Sequence, residues 1–332
     1  MTDDRTITAA NASRKVAKPS GGSRNRRQKT EDRQNAGAER PPTELSSVLR
    51  PLSSDRYAVF GNPVAHSKSP QIHAAFARAC GENLYYEARP APLDGFAEAV
   101  RQFILEGGKG ANVTVPFKEE AFRLADELTS RARAAGAVNT LSFQDGRIFG
   151  DNTDGAGLTR DITENLAFSV ADRRVLLIGA GGAARGVIGS LLALRPAALV
   201  IANRGVDKAK ALAAAFAGRV PDSAVLPCGM GFADLAGATP FDLVINATSA
   251  SLAGATLSLP AGIFAANSLA CDLMYGKEET PFLAQARTGG AAQCADGLGM
   301  LVEQAAESFF VWRGRRPQAV VRAALLQQLR GV

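Results

Sequence analysis

The chain has 332 residues, 46% of them apolar, with 38 Lys+Arg against 32 Asp+Glu for a net charge of +6. That length holds one large domain or two ordinary ones with a proper core, and no apolar run approaches the roughly 18 residues needed to span a bilayer. Four scattered cysteines without a C-x-x-C pair read as reduced thiols of a cytoplasmic protein, and with only two histidines, His66 and His73, a metal centre is not expected.

The charge is concentrated at the start. Residues 1–55 carry 11 Lys+Arg and 7 Asp+Glu, no Phe, Trp or Tyr, and no apolar stretch of the secretory-signal kind. Such a segment buries too little apolar surface to offset its chain entropy, so it is expected to be a disordered basic extension. A solvated tail is the simpler reading. An arm for nucleic acid is the alternative.

From Tyr57 strands and helices alternate. "RYAVFG" reads as a strand, "SPQIHAAFARACG" as a helix and "NLYYEARPAP" as a second strand. "DGFAEAVRQFILEGG" is a helix closed by glycine, and "GANVTVP" is the third strand. This alternation predicts a mostly parallel sheet with helices on both faces, an α/β fold. "AVNTLSFQDGRIFGDNTDG" differs, because two strand-like runs flank a Gln-Asp-Gly turn, the pattern of a hairpin. A second series follows: "RRVLLIGAGGAARGVIGSLLAL", "AALVIANR", "DKAKALAAAFAG", "FDLVINATS" and "SLACDLMY", before two C-terminal helices, "GMLVEQAAESFFVWRG" and "QAVVRAALLQQLR".

The apolar strand Val175 to Ile178 runs into Gly179, Ala180, Gly181, Gly182, Ala183 and Ala184, a G-x-G-x-x-A turn opening a helix. The first glycine makes the turn, the second admits a pyrophosphate, and the helix N-terminus faces the phosphates. The next strand ends in Asn203 and Arg204 with Lys208 a turn later, where an NAD enzyme places a carboxylate for the ribose 2′-hydroxyl. A guanidinium binds a 2′-phosphate instead, which points to NADP. The plainer alternative is a surface arginine at a strand end.

Ligands of open parallel sheets bind beyond the carboxyl ends of the strands. After the first strand stand Ser67 and Ser69, with Ser69 suited to cap a helix whose first residue is Pro70. Capping leaves Ser67 unexplained, and two hydroxyls at a helix start suit a small carboxylate. After the third strand come Thr114 and Lys118, the latter in a first helical turn opened by Pro116 and Phe117, where a cation opposes the helix dipole. The hairpin adds Asn139 and Asp154. The loop "GDNTDG" suggests calcium only superficially, since its glycine falls one place early and Ile162 stands where an EF-hand needs Glu. Reducing a ketone by hydride puts charge on oxygen that an acid must protonate, a role Lys118 can fill with Asp154 orienting it and holding a substrate hydroxyl. Otherwise Lys118 is an ordinary exposed helix residue.

These stretches resemble the shikimate dehydrogenase family closely. "YAVFGNPVAHSKSP", "GANVTVPFKEEA", "AGAVNTL", "GDNTDG", "GAGGAARG", "INATS" and "ADGLGMLVEQAA" occur in that family's order from residue 57 to about 315. The resemblance implies NADP-dependent interconversion of 3-dehydroshikimate and shikimate in aromatic amino-acid biosynthesis. It also implies a substrate domain over 56–154, a Rossmann dinucleotide-binding domain over 155–289, and helices over 290–332 that return to the first domain. By resemblance Lys118 and Asp154 form the catalytic pair, and Ser67 and Ser69 hold the substrate carboxylate with Tyr275 nearby. Thr114, Asn139 and Gln304 fall on substrate-contacting positions. Gly179 to Ala183 form the pyrophosphate loop, Asn203, Arg204 and Lys208 the 2′-phosphate loop, and Leu273 and Gly297 lie near the nicotinamide. Gly205 departs from the family's threonine, and Leu273 from its frequent methionine. The rival readings are an NAD-dependent quinate/shikimate dehydrogenase and a non-catalytic sensor on the same fold. The expected partners are small molecules, with no membrane and no nucleic acid, for a monomer or homodimer.

Overall fold

The computed structural model describes residues 54–218, 225–250 and 254–331. The basic extension expected over 1–55 lies, up to residue 53, outside the described residues.

The first sheet is built from β1 (Asp55–Gly61), β2 (Leu84–Pro90), β3 (Gly108–Val113), β4 (Glu127–Leu128), β5 (Thr140–Gln144) and β6 (Arg147–Asp151), in the order β2-β1-β3-β5-β6-β4. Pairing is parallel except along β5, which runs antiparallel to both β3 and β6. The β5–β6 hairpin closes through Asp145 and Gly146 at φ 50° and 74°, the two positive φ angles of a tight Asp-Gly turn. Alternate residues of β1 face opposite ways. Ala58 and Phe60 enter a core with Phe96, Val100 and Phe103 of α2 (Phe96–Leu105) and with Ala121 of α3 (Lys118–Leu124). Tyr57 and Val59 face the other side, towards Trp312.

The second sheet has β7 (Arg174–Ile178), β8 (Ala198–Ala202), β9 (Cys228–Met230), β10 (Phe241–Asn246), β11 (Phe264–Asp272) and β12 (Gln293–Ala295), all parallel, in the order β12-β11-β10-β7-β8-β9. Its central strands are apolar on both sides because helices cover both faces. Val175 and Leu177 pack with α6 (Gly182–Ala193) and α7 (Val206–Phe216), whereas Leu176 and Ile178 pack with α8 (Pro281–Thr288). Strand order reverses at β7, with β8 on one side and β10 on the other, which opens a crevice at the carboxyl ends of these strands.

The link between the sheets is α5 (Asp154–Arg160), continued by a five-residue π turn, Asp161–Asn165. The C-terminal helices α9 (Leu298–Arg313) and α10 (Ala319–Arg330) return to the first sheet. Val302, Phe309 and Leu325 share a buried cluster with Ile72 and Phe76 of α1 (Ser69–Cys80). At Gly157 a Cβ would lie 2.6 Å from the backbone nitrogen of Gln304, so glycine is what lets α5 approach α9 this closely.

Several elements differ from the sequence reading. The strand expected as "SLACDLMY" begins earlier, at Phe264, and ends at Asp272. The short β4, β9 and β12, α4 (Ser130–Ala135) and α8 carried too few residues to show a period.

Candidate active site

The opening residue of α3 is Lys118, not Pro116. Phe117 is the N-cap residue instead: its ring is buried and stacked on Phe96, with centroids 4.8 Å apart, and this anchorage fixes where the helix begins. Pro116 precedes it after a cis peptide bond. The cation at this helix start is compensated by Glu119 and Glu120 in the same turn and by a 2.6 Å ion pair from Lys118 Nζ to Asp154 Oδ2. Asp154 is itself the first residue of α5, where a carboxylate is favoured, and its N–H donates to Asn152 Oδ1 at 3.1 Å. The Lys118 side chain remains 22% exposed while that of Asp154 is 7% exposed. The ammonium is therefore the more accessible partner, and the carboxylate is the more deeply buried one.

Both oxygens of Asp154 are engaged. Oδ1 accepts from Asn139 Nδ2 at 2.8 Å. The orientation of that amide is set from its other end, where Asn139 Oδ1 accepts Thr153 N–H at 2.8 Å and the Thr140 hydroxyl at 2.9 Å. Gln304 of α9 joins this group, its Oε1 lying 3.3 Å from Asn139 Nδ2. A Cβ added to Gly186 of α6 would lie 3.4 Å from Asp154 Oδ2, so the pair sits against the helix that begins at the glycine-rich turn.

Sequence reasoning missed the layer beneath. Asn112 of β3 donates to Ser308 Oγ at 2.9 Å and to the Asn139 carbonyl at 3.1 Å, and it accepts the Tyr86 hydroxyl at 2.8 Å. Thr153 and Asn152 were signalled only by the unusual run of polar residues before Asp154. Ser308 gave no signal, being one small residue on a sixteen-residue helix.

At α1 the roles of the serines differ from expectation. The N-cap residue is Lys68, Ser69 is the first helical residue, and no side chain caps the helix. It is Ser67 whose Oγ accepts the Ser69 N–H, at 3.2 Å, because the chain turns into the helix one residue earlier than predicted. Beside them His73 is fully buried and stacked flat on Tyr86, with centroids 4.2 Å apart, and burial pushes its imidazole down to about 3. That neutral ring packs and does not titrate in the working range. Thr114 is held by its backbone, its N–H on the Phe60 carbonyl at 2.9 Å and its own carbonyl accepting Phe117 N–H at 3.0 Å. Tyr275 follows β11, half-buried, and burial raises its phenol. Among the described residues no side-chain hydrogen bond ties Thr114 or Tyr275 to the Lys118 group.

On the second sheet Gly179 adopts φ +114°, and a Cβ there would lie 3.1 Å from the Ala247 carbonyl, so only glycine fits. Gly181 and Gly182 are different: a Cβ on either would meet nothing within 4 Å, in open space before the uncapped start of α6. That space and the free first-turn N–H groups suit a pyrophosphate. Ala180 and Ala183 flank them, partly buried, and Ala184 packs fully buried against the strand. Asn203 Nδ2 donates to the Gly205 carbonyl at 3.0 Å, while Arg204 and Lys208 are exposed beside it. Gly205 is the N-cap residue of α7 at φ −90°, ψ 102°, a conformation that does not require glycine. Leu273 is buried, and a Cβ on Gly297 would fall 2.2 Å from its carbonyl oxygen. Among the described residues no cluster of His, Cys, Asp or Glu could hold a metal, and no helix is long and apolar enough to cross a membrane.

Comparison with known proteins agrees with this geometry. Residues 59–141 match the family model described as the shikimate dehydrogenase substrate binding domain, 161–254 that of shikimate / quinate 5-dehydrogenase, and 297–326 that of the shikimate 5'-dehydrogenase C-terminal domain. A shikimate dehydrogenase (NADP(+)) from Dechloromonas aromatica (strain RCB) is 65% identical over 277 residues, covering 83% of this chain and 98% of that one. Among solved structures, an Ael1 enzyme from Pseudomonas putida is 50% identical with a TM-score of 0.76, covering 83% of this chain and 98% of that one. Shikimate 5-dehydrogenase from Thermus thermophilus, in complex with NADP(H) and shikimate, is 32% identical with a TM-score of 0.70, covering 82% and 99%.

Proposed function

The chain belongs to the shikimate dehydrogenase family, and from that membership we propose that it reversibly reduces 3-dehydroshikimate to shikimate with NADPH. The observation that carries this reading is the 2.6 Å pair of Lys118 and Asp154, set against the helix that opens the dinucleotide loop. NADPH, when bound, supplies the hydride. Lys118 Nζ delivers the proton to the substrate oxygen as it gains charge, and in the reverse direction takes it from the hydroxyl. Asp154 Oδ2 fixes the direction of that ammonium before reaction, and Asn139 on Oδ1 keeps the carboxylate from rotating away, so little ordering remains for the reactive complex.

Ser67 and Ser69 hold the substrate carboxylate with help from Tyr275, while Thr114, Asn139 and Gln304 meet its ring hydroxyls or carboxylate. The backbone of Gly179 to Ala183 receives the pyrophosphate. Arg204 and Lys208, with Asn203, receive the 2′-phosphate, and Leu273 and Gly297 border the nicotinamide. The working division is 56–154 for substrate, 155–289 for cofactor, and 290–332 returning to the first domain. Four free thiols suit a reducing compartment, and we place the enzyme in the cytoplasm.

The test is NADPH oxidation by the purified chain with 3-dehydroshikimate, repeated with NADH and with quinate as substrate in the oxidising direction. Turnover with NADPH well above NADH is expected. A preference for NADH would promote the quinate/shikimate reading, and no turnover with either would leave only the sensor.

A further inference from the structure

The last residue of β11, Asp272, is 1% exposed and contributes to neither the substrate nor the phosphate assignments above. Its Oδ1 accepts from Asn246 Nδ2 at 3.1 Å and from the Met274 N–H at 3.0 Å, and its Oδ2 accepts the Thr280 hydroxyl at 2.7 Å. Asn246 ends the neighbouring strand β10 and is also buried. Its Oδ1 accepts both the N–H and the hydroxyl of Thr248, at 3.1 and 2.7 Å. The Asn246 carbonyl accepts Leu273 N–H at 2.9 Å, and the Met274 carbonyl accepts Gly297 N–H at 3.0 Å. The main chain of Leu273–Met274 is therefore held from three directions: by β10, by Asp272 and by the start of α9.

Fold order tells which end of a dinucleotide meets this segment. The phosphate turn follows β7, and the cations for the 2′-phosphate follow β8 on one side of it. The other half of the cofactor must then extend over the carboxyl ends of β10 and β11 on the opposite side. A turn after β11 that needed only a local cap could use a neutral Asn or Ser. Burying a carboxylate there is costly unless it organises several groups. Asp272 does so across 26 residues to Asn246 and 8 to Thr280.

We propose that Asp272 is a positioning residue for the nicotinamide end of the site, acting through the Leu273–Met274 main chain without touching substrate. The inference rests on the dehydrogenase reading, and the unmodified chain's turnover, measured first, tests that reading alone. The variants Asp272→Ala, Asp272→Asn and Thr280→Val are then compared with it. The readouts are kcat, KM for NADPH, the primary deuterium isotope effect with NADPH labelled at the transferred position, and calorimetric titrations of NADPH and, separately, shikimate. Asp272→Ala is expected to weaken NADPH about tenfold or more and to raise the isotope effect, with shikimate affinity within about twofold. Asp272→Asn, which keeps an acceptor for Asn246 and Met274, should lie between it and the unmodified chain. Should Asp272→Ala fail to fold, Thr280→Val decides the matter, since it removes one hydroxyl and should weaken NADPH a few-fold. Unchanged NADPH affinity and isotope effect in folded variants would overturn the proposal. So would equal losses for NADPH and shikimate, which a merely structural role produces.

Discussion

Asp161→Asn should make the protein more stable at neutral pH. Asp161 opens the π turn after α5 and is 5% exposed, and a Cβ on Gly299 of α9 would fall 2.1 Å from its Oδ1, so the carboxyl is pressed onto α9. Burial raises it from 3.8 to about 6, opposed by a hydrogen bond from Asn165 and by Arg330, and reinforced by the negative charges of Glu303 and Asp296. The folded state thus holds a proton that the unfolded chain releases. Stability falls as pH rises from about 4 to about 6 and stays reduced above that. At about 1.4 kcal/mol per pH unit, a separation of about two units makes ionised Asp161 cost on the order of 3 kcal/mol at pH 8. An amide of the same shape keeps the acceptor for Asn165 and removes the like charge near Glu303. Thermal melts followed by circular dichroism should show Asp161→Asn several degrees more stable at pH 8, with the difference shrinking towards pH 4. A variant that is no more stable at pH 8, or a gap that does not change with pH, would refute this reasoning.

Other substitutions probe the site itself. Lys118→Ala should lower kcat by roughly 10²–10⁴-fold with a much smaller effect on substrate affinity, as for loss of a general acid, and Asp154→Asn should be similarly impaired; steady-state kinetics at neutral pH check both. Arg204→Ala should raise KM for NADPH by about tenfold or more, since a hydrogen bond to a charged group contributes about 1.5–3 kcal/mol and each 1.4 kcal/mol is about tenfold. Gly205→Thr should sharpen the NADPH preference, because the N-cap residue of α7 accepts a side chain whose Cβ meets only Asn203 Nδ2, at 3.6 Å. The ratio of kcat/KM for NADPH and NADH reads both changes. Gly297→Ala should cost about 1–3 kcal/mol through backbone displacement at Leu273, visible as a lower melting temperature.

The strands, the longer helices and the phosphate turn were legible in the sequence because each is a local property. Val175 to Ile178 is apolar throughout, Gly179 must turn at positive φ, and the Asp-Gly pair fixes the hairpin, whatever the rest of the chain does. The positions of Lys118 and Asp154 at the carboxyl ends of strands followed from that alternation. Their contact did not. They lie 36 residues apart, and the 2.6 Å approach depends on two helix starts meeting, which only the packed sheet fixes. The beginning of α3 moved from Pro116 to Lys118 because a buried ring, Phe117, outweighs local helix preference. For the same reason the layer of Asn112, Thr140 and Ser308 was invisible, its members coming from two strands and a helix up to 196 residues distant. Local preference is written residue by residue and can be read that way. Burial and hydrogen bonding between distant segments are decided only when the chain closes on itself, and there the polar groups that leave water must find whichever partners the fold brings within reach.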